Sequence, residues 1–247
     1  MARIEDFADN YSDVCVIVGT ITPSLYNEYN VKRGLRDIKG QGVLTGLTNI
    51  SKITAFKDIN GEKVPCDGEL LYRGYDVKEL VQKAVNRKYI YEEGAYLLLF
   101  GKLPDQQQLE EFRGIIAENM ILPKHFTRDV IMKASESDIM TSMTKSILTL
   151  VGYDRRKNDL SISNVLRQCM QLISVFPMLS VYSYHAYNHY CKDDSFFIHR
   201  PLPEYSIAEN FLRMLRPDTE FSELEARVLD IALLLHMEHG GGNNMQY

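Results

Sequence analysis

The chain has 247 residues, of which 45% are hydrophobic and 25% are charged, and its formal net charge is −5. These are the values of an ordinary globular protein that can bury a core, and the acidic balance argues against nucleic-acid binding. Four scattered cysteines without a C-x-x-C pair argue against a zinc ribbon or a disulfide scaffold and fit reduced thiols in a cytosol.

The N-terminus, "MARIEDFADNYSD", is too acidic for a signal or transit peptide. No uninterrupted apolar run reaches the roughly 18 residues that a membrane helix needs. The sequence therefore predicts a soluble cytoplasmic protein whose partners include neither a membrane nor a nucleic acid.

A small β-hairpin is predicted near residues 50–72 of an otherwise helical chain. Asn60-Gly61 lies among β-forming residues, and this dipeptide is the strongest short-range signal for a two-residue hairpin turn. The sequence thus predicts an all-α fold with one hairpin. We divide it into an N-terminal arm (1–45), a hairpin segment (46–74) and a helical core (75–247).

Helix start and stop signals recur through the helical core. Gly101 suits the left-handed stop of a helix over "YEEGAYLLLF", and Pro104 predicts the first turn of the next helix. Further helices are predicted over residues 128–134 and in "DIMTSMTKSILTLVGYD". Three pairs have capping-box spacing, in which each side chain satisfies a free backbone N–H at a helix start. They are Asp76 with Glu79, Ser206 with Glu209, and Ser222 with Glu225.

The longest helical stretch runs from Leu160 to Tyr190 and is apolar nearly all round, which predicts a central helix. Pro177 lies inside it and predicts a kink, because proline removes a helical hydrogen bond. His185 and His189 are four residues apart and could face one way, as zinc ligands on a helix do. No H-E-x-x-H glutamate and no third ligand accompany them, so the sequence favours packed or surface histidines over a metal site.

The last predicted helix ends in "LLLHMEHGGGNN". His236 and His239 lie on one helical face, in the last turn, where the partial negative charge of the helix end favours an imidazolium that could hold a carboxylate. Residues 240–242 are glycines that allow close approach of a ligand, and Asn243 adds an amide donor. A helix that simply ends at glycine explains the same pattern, so the residues alone leave both interpretations open.

Three segments in this order resemble the citrate synthase family: "GELLYRGYDVKEL", "YEEGAYLLLFGKLPDQQQLEEF" and "LLLHMEHGGGNN". Their order and spacing match over about residues 42–244, and "GLRDIKGQGVLTGLTNIS" resembles the bacterial type. The resemblance implies a multi-helical fold of the citrate synthase large-domain type that forms a homodimer. It also implies the tricarboxylic acid cycle condensation of acetyl-CoA with oxaloacetate to citrate and CoA, with acetyl-CoA as a substrate and no metal or cofactor.

The resemblance assigns oxaloacetate binding to His239 and Asn243, and it places His236 beside them as a supporting histidine. An imidazolium and an amide there would polarise the ketone that the acetyl carbanion attacks. The family's G-P-x-H-G and G-Y-G-H segments, which carry further histidines of the site, occur nowhere in these 247 residues. We therefore expect the N-terminal part of a citrate synthase. It would lack the small domain, the C-terminal helices, the catalytic residues and any synthase activity of its own.

Three alternatives stay open. A non-catalytic helical interaction protein could have kept the dimer scaffold without the chemistry. A parent enzyme of the methylcitrate synthase type would use propionyl-CoA in place of acetyl-CoA. A helical metalloenzyme would use His236, Glu238 and His239 as its ligands.

Overall fold

A computed structural model describes residues 2–31, 46–84, 87–133 and 138–238, and these residues form nine α-helices and one three-stranded sheet. The helices are α1 (Ala2–Gly19), α2 (Ser24–Glu28), α3 (Val77–Lys83), α4 (Ile90–Phe100), α5 (Gln106–Asn119), α6 (Ile139–Leu150), α7 (Ile162–Lys192), α8 (Ile207–Leu215) and α9 (Glu223–Leu235). The strands are β1 (Ser51–Ile59), β2 (Glu62–Tyr72) and β3 (Tyr75–Asp76). The predicted all-α fold with a small hairpin is confirmed.

The predicted hairpin is formed by β1 and β2, which pair antiparallel with Ile59 opposite Glu62. Asn60 and Gly61 make the two-residue turn with φ of 57° and 86°. Both positions of a type I′ turn require a positive φ, and asparagine and glycine adopt it at the lowest cost. The short strand β3 pairs antiparallel with the end of β2 and completes the sheet.

The local capping signals largely hold. Ser206 and Ser222 each form the full capping box with the glutamate three residues on, and α4 ends at Gly101 with φ of 75°. Two helix starts differ in detail from the expectation. The Asp76 carboxylate accepts from the Lys78 N–H, while the Glu79 side chain pairs with the lysine four residues further on. Helix α5 begins at Gln106, two residues after Pro104, and the Asp105 side chain caps it.

The helix predicted over residues 128–134 is a π-helix (Thr127–Met132). The Lys133 N–H donates to the carbonyl of Arg128, five residues back, at 3.3 Å. Hydrophobic periodicity cannot distinguish this wider turn from an α-helix over so short a stretch. The segment "DIMTSMTKSILTLVGYD" forms α6 as predicted, followed by a 3₁₀ turn (Val151–Tyr153).

Helix α7 is the central element, as predicted, and it contacts α1, α5, α6 and α8. It runs unbroken through the buried Pro177, whose missing N–H leaves the carbonyl of Ile173 without its usual helical donor. By length and composition α7 could cross a membrane, and 56% of its most apolar window is buried inside the protein. A core helix passes the same test, so α7 gives little support to a membrane location.

The core joins the first helix to the middle of the chain. Residues Ile4 and Phe7 of α1 are buried, and the Phe7 ring packs on an aromatic cluster of α4 and α5. Within that cluster, the ring centroid of Tyr96 lies 4.6 Å from that of Phe100 and 5.5 Å from that of Phe112. The first part of the predicted N-terminal arm is therefore a helix that packs in the core against α7.

Candidate functional site

The predicted substrate site follows the C-terminal end of α9. The helix ends at Leu235, His236 is its C-cap, and the described residues end at Glu238. His239 and Asn243 lie outside the described residues, so their assignment to oxaloacetate stays a prediction.

His236 lies at the surface and bonds to its own helix. Its Nδ1 is 2.7 Å from the carbonyl oxygen of Ala232, one turn back. A helix leaves its last four carbonyls without backbone donors, and this imidazole supplies one of the missing N–H groups. A neutral ring in this arrangement carries its proton on Nδ1 and presents Nε2 as an acceptor.

The end of α9 is held by the hairpin through a buried tyrosine. Tyr72, the last residue of β2, is 0% exposed, and its hydroxyl oxygen lies 3.0 Å from the carbonyls of both Leu234 and Glu238. The hydroxyl of Ser51, at the start of β1, donates to the Glu238 carboxylate at 3.2 Å. The start of β1 and the end of β2, which pair with each other, therefore both contact the turn that precedes the predicted site.

Helix α4 approaches the same turn through a glycine. A Cβ placed on Gly94 would lie 2.4 Å from Leu234 Cδ1 and 2.9 Å from Met237 Sδ. Real Cβ atoms essentially never come so close, so a side chain at this position would force Leu234 and Met237 to move. Nothing in the local sequence indicated this role, because the close approach arises between two distant helices.

Arg73 ties the hairpin to two further helix ends. Its guanidinium donates to the carbonyls of Leu98 in α4 and Val18 in α1, both at 2.9 Å. These carbonyls lie at helix C-termini, where partial negative charge favours a cation. The end of β2 is thus the point at which the C-terminal ends of α1, α4 and α9 are held together. The sequence showed this stretch only as the "RGY" of a family motif.

Two buried carboxylates link the helices around α9. The Asp230 carboxylate accepts from the backbone N–H groups of Ile90 and Tyr91 at 2.9 Å each, so it caps α4. The buried Glu92 carboxylate accepts from the Ile207 N–H at 2.8 Å and caps α8. Burial, followed by the charge of Asp230, raises the pKa of Glu92 to about 7, while Asp230 also has a pKa raised by burial.

Two cavities in the described part of the chain are lined by no residue from 231–238. The larger, of about 160 Å³, is a polar cleft along the N-terminal half of α9. Its basic side chains are ion-paired: Lys88 bonds Glu209 at 3.1 Å and Arg227 bonds Glu223 at 2.9 Å. The smaller has room for about one water and lies beside Glu92.

The helical histidine pair is packed against backbone, as the sequence favoured. His185 is buried with Nε2 3.0 Å from the Met214 carbonyl, and His189 Nδ1 lies 2.8 Å from the Asp194 carbonyl. Among the described residues, no cluster of three or more His, Cys, Asp or Glu could hold a metal ion. The metal hypothesis at the end of α9 includes His239, which lies outside those residues.

Comparison with known proteins identifies the family to which the chain is related. The family model described as citrate synthase, C-terminal domain, matches residues 38–245. The citrate/2-methylcitrate synthase of Bacillus subtilis (strain 168) is 30% identical over 171 residues, which are 69% of this chain and 43% of the relative. The citrate synthase of Corynebacterium glutamicum is 29% identical over 202 residues, which are 80% of this chain and 42% of the relative.

The fold agrees with these sequence matches. The crystal structure of citrate synthase from Pyrobaculum aerophilum superposes with a TM-score of 0.66 at 25% identity, covering 85% of this chain and 51% of that chain. The chain thus spans about half the length of the relatives it matches. Because the family model covers most of the chain and the described helices follow the same fold, the chain belongs to the citrate synthase family.

Proposed function

We propose that the protein takes part in a citrate synthase-type condensation, in which an acyl-CoA adds to oxaloacetate, and that this chain supplies the oxaloacetate-binding turn after α9. The observation that carries the proposal is the extent of the family match. It runs to residue 245 and so includes both His239 and Asn243.

The chemistry follows from the two residue types. Oxaloacetate is an anion with a ketone, and charge develops on the ketone oxygen as the deprotonated α-carbon of the thioester attacks the ketone carbon. A protonated His239 and the Asn243 amide would donate hydrogen bonds to this oxygen or to a carboxylate, which lowers the free energy of the charged transition state. His236 would support them. We propose no metal and no cofactor, since CoA enters as part of the substrate.

The identity of the acyl-CoA donor is a separate part of the proposal. We propose acetyl-CoA as the donor, with propionyl-CoA as the second candidate. The B. subtilis relative is named for both products, citrate and 2-methylcitrate, and this supports keeping both. Parallel assays with the two thioesters on the intact protein, following the released CoA thiol, decide between them. The expectation that these 247 residues alone give no turnover stays a prediction that the same assay tests.

We also propose that the protein acts in the cytoplasm as a homodimer. Exposed apolar side chains along α9 support self-association, because exposed apolar surface of this kind favours burial against a partner. The scattered cysteines support the cytoplasm, because free thiols suit a reducing compartment.

Titration calorimetry with oxaloacetate tests the site. We expect the wild-type chain to bind oxaloacetate and His239→Ala to bind at least about tenfold more weakly, the loss of one charged hydrogen bond. His125→Asn is the matched control, because it removes an exposed histidine and asparagine tolerates the positive φ found there. Equal heats from wild type and His239→Ala would remove the site assignment.

A further inference from the structure

Tyr72 lies where the hairpin meets the end of α9. Its ring packs in a small core cluster with Leu80 and Leu97, on the side of α9 that carries Leu234. This position accounts for burial of the ring. It does not require a hydroxyl, because the same apolar contacts are available to phenylalanine.

The hydroxyl forms hydrogen bonds with the backbone of the turn. It lies 3.0 Å from the Leu234 carbonyl, 3.4 Å from the Leu235 carbonyl and 3.0 Å from the Glu238 carbonyl, and it accepts from the Glu238 N–H at 3.4 Å. A tyrosine has one proton to donate, so the carbonyls share it. Burial raises the pKa of Tyr72, which keeps that proton in place at neutral pH.

The carbonyls at the end of α9 need hydrogen-bond donors from outside the regular helix. The last carbonyls of a helix have no backbone partner within the helix. Here the His236 N–H donates to the Leu233 carbonyl and the Met237 N–H to the Leu234 carbonyl, at 3.2 and 3.3 Å. The Tyr72 hydroxyl contacts the carbonyls of Leu234 and Glu238 and so joins the last helical turn to Glu238.

We propose that Tyr72 is a positioning residue for substrate: its hydroxyl fixes the chain from Leu234 to Glu238 and so sets the point from which His239 continues. The inference rests on the proposed function, because it concerns the oxaloacetate-binding turn. Gly94 and Ser51 meet the same turn from α4 and from β1, and the Tyr72 hydroxyl contacts the backbone on both sides of it.

The test is Tyr72→Phe in the 247-residue chain, which keeps the ring in the core and removes only the hydroxyl. We expect oxaloacetate to bind about tenfold more weakly by calorimetry, the effect of one hydrogen bond. We also expect faster amide hydrogen exchange at Glu238, with no change at the middle of α9. Tyr75→Phe is the matched control, because Tyr75 lies in β3 opposite Tyr72 and is exposed. It should bind like wild type.

Two outcomes would overturn the inference while leaving the proposed function intact. One is wild-type affinity in Tyr72→Phe. The other is an equal loss of affinity in Leu97→Ala, which loosens the same core cluster without removing the hydroxyl and would show that Tyr72 acts only through stability. A wild-type chain that takes no oxaloacetate would instead overturn the proposed function, and the positioning role with it. The exchange data would then show separately whether Tyr72 holds the turn.

Discussion

Arg73 is a residue whose backbone is strained and whose side chain compensates. Its φ of 48° lies in the left-handed region, in a two-residue turn with Gly74 that joins β2 to β3. An arginine there costs roughly 1 kcal/mol relative to glycine or asparagine. Its guanidinium makes hydrogen bonds with Leu98, Val18 and Asn49, and a hydrogen bond to a charged group stabilises by about 1.5–3 kcal/mol. The contacts therefore outweigh the strain.

Arg73→Asn separates these two contributions. Asparagine suits the turn, so the strain is relieved while the clamp between α1 and α4 is lost. We expect the free energy of unfolding to fall by about 2 kcal/mol, measured by urea denaturation. Arg155→Asn, on an exposed loop, is the control and should stay within about 0.5 kcal/mol of wild type. Equal midpoints for wild type and Arg73→Asn would show that the guanidinium contributes nothing.

At the scale of elements, two helices begin with caps that come from other helices. Tyr89, the N-cap residue of α4, has a φ of 71° and makes no side-chain cap, and Asp230 of α9 supplies the acceptor instead. At the start of α8, Glu92 of α4 adds a second acceptor at the Ile207 N–H, beside the capping box of Ser206. Each carboxylate thus lowers the cost of one helix start and joins two elements.

Glu92 makes stability depend on pH. Burial and Asp230 raise its pKa from 4.5 to about 7, against the opposing effects of the Ile207 N–H and Arg113. The folded state therefore holds the proton more tightly than the unfolded chain. The resulting stabilisation is fully present below about pH 4.5 and is lost as the pH rises through about 7.

Glu92→Gln should remove that dependence. Glutamine keeps the acceptor for Ile207 and never ionises, so we expect the variant to be more stable than wild type near pH 8, by roughly 1–3 kcal/mol. Near pH 5 the two should differ little. Denaturant unfolding across this range measures it, with exposed Glu62→Gln as the control. A wild-type free energy of unfolding that does not change between pH 5 and pH 8 would contradict the raised pKa of Glu92.

The elements that the sequence predicts are those whose cause is local. Asn60-Gly61 and the capping boxes at Ser206 and Ser222 each act within four residues, and all three form. The Arg73-Gly74 turn was not predicted, because its arginine is explained by partners distant in sequence, in α1, in α4 and at Asn49. Long-range caps such as Asp230 are invisible in sequence for the same reason.

The candidate site also contains features that the local sequence predicts and features that it does not. The end of α9 and the place of His236 follow from its own pattern of residues. The roles of His239 and Asn243 come from family resemblance, since a histidine after a helix and a run of glycines is equally a simple helix stop. Tyr72 could not be predicted, because its hydroxyl meets a segment more than 160 residues away along the chain.

For the whole molecule, the outer face of α9 raises the question of assembly. Leu224, Val228 and Leu235 lie on one side of the helix at spacings of four and seven and are 68%, 59% and 40% exposed. Ile231 falls on the same side and is partly buried. An apolar stripe of this spacing is the pattern of a helix that packs against another helix.

We therefore expect the chain to self-associate as a dimer or a higher oligomer, and Val228→Glu to weaken the association. A charge in the middle of the stripe would have to lose its hydration on burial, which costs far more than a valine gains. Light scattering at micromolar concentration measures the mass. Gln107→Glu adds the same charge on the exposed face of α5 and should leave the mass unchanged. A wild-type monomer would contradict the assembly itself, whereas a Val228→Glu oligomer of wild-type mass would place the contact on another face.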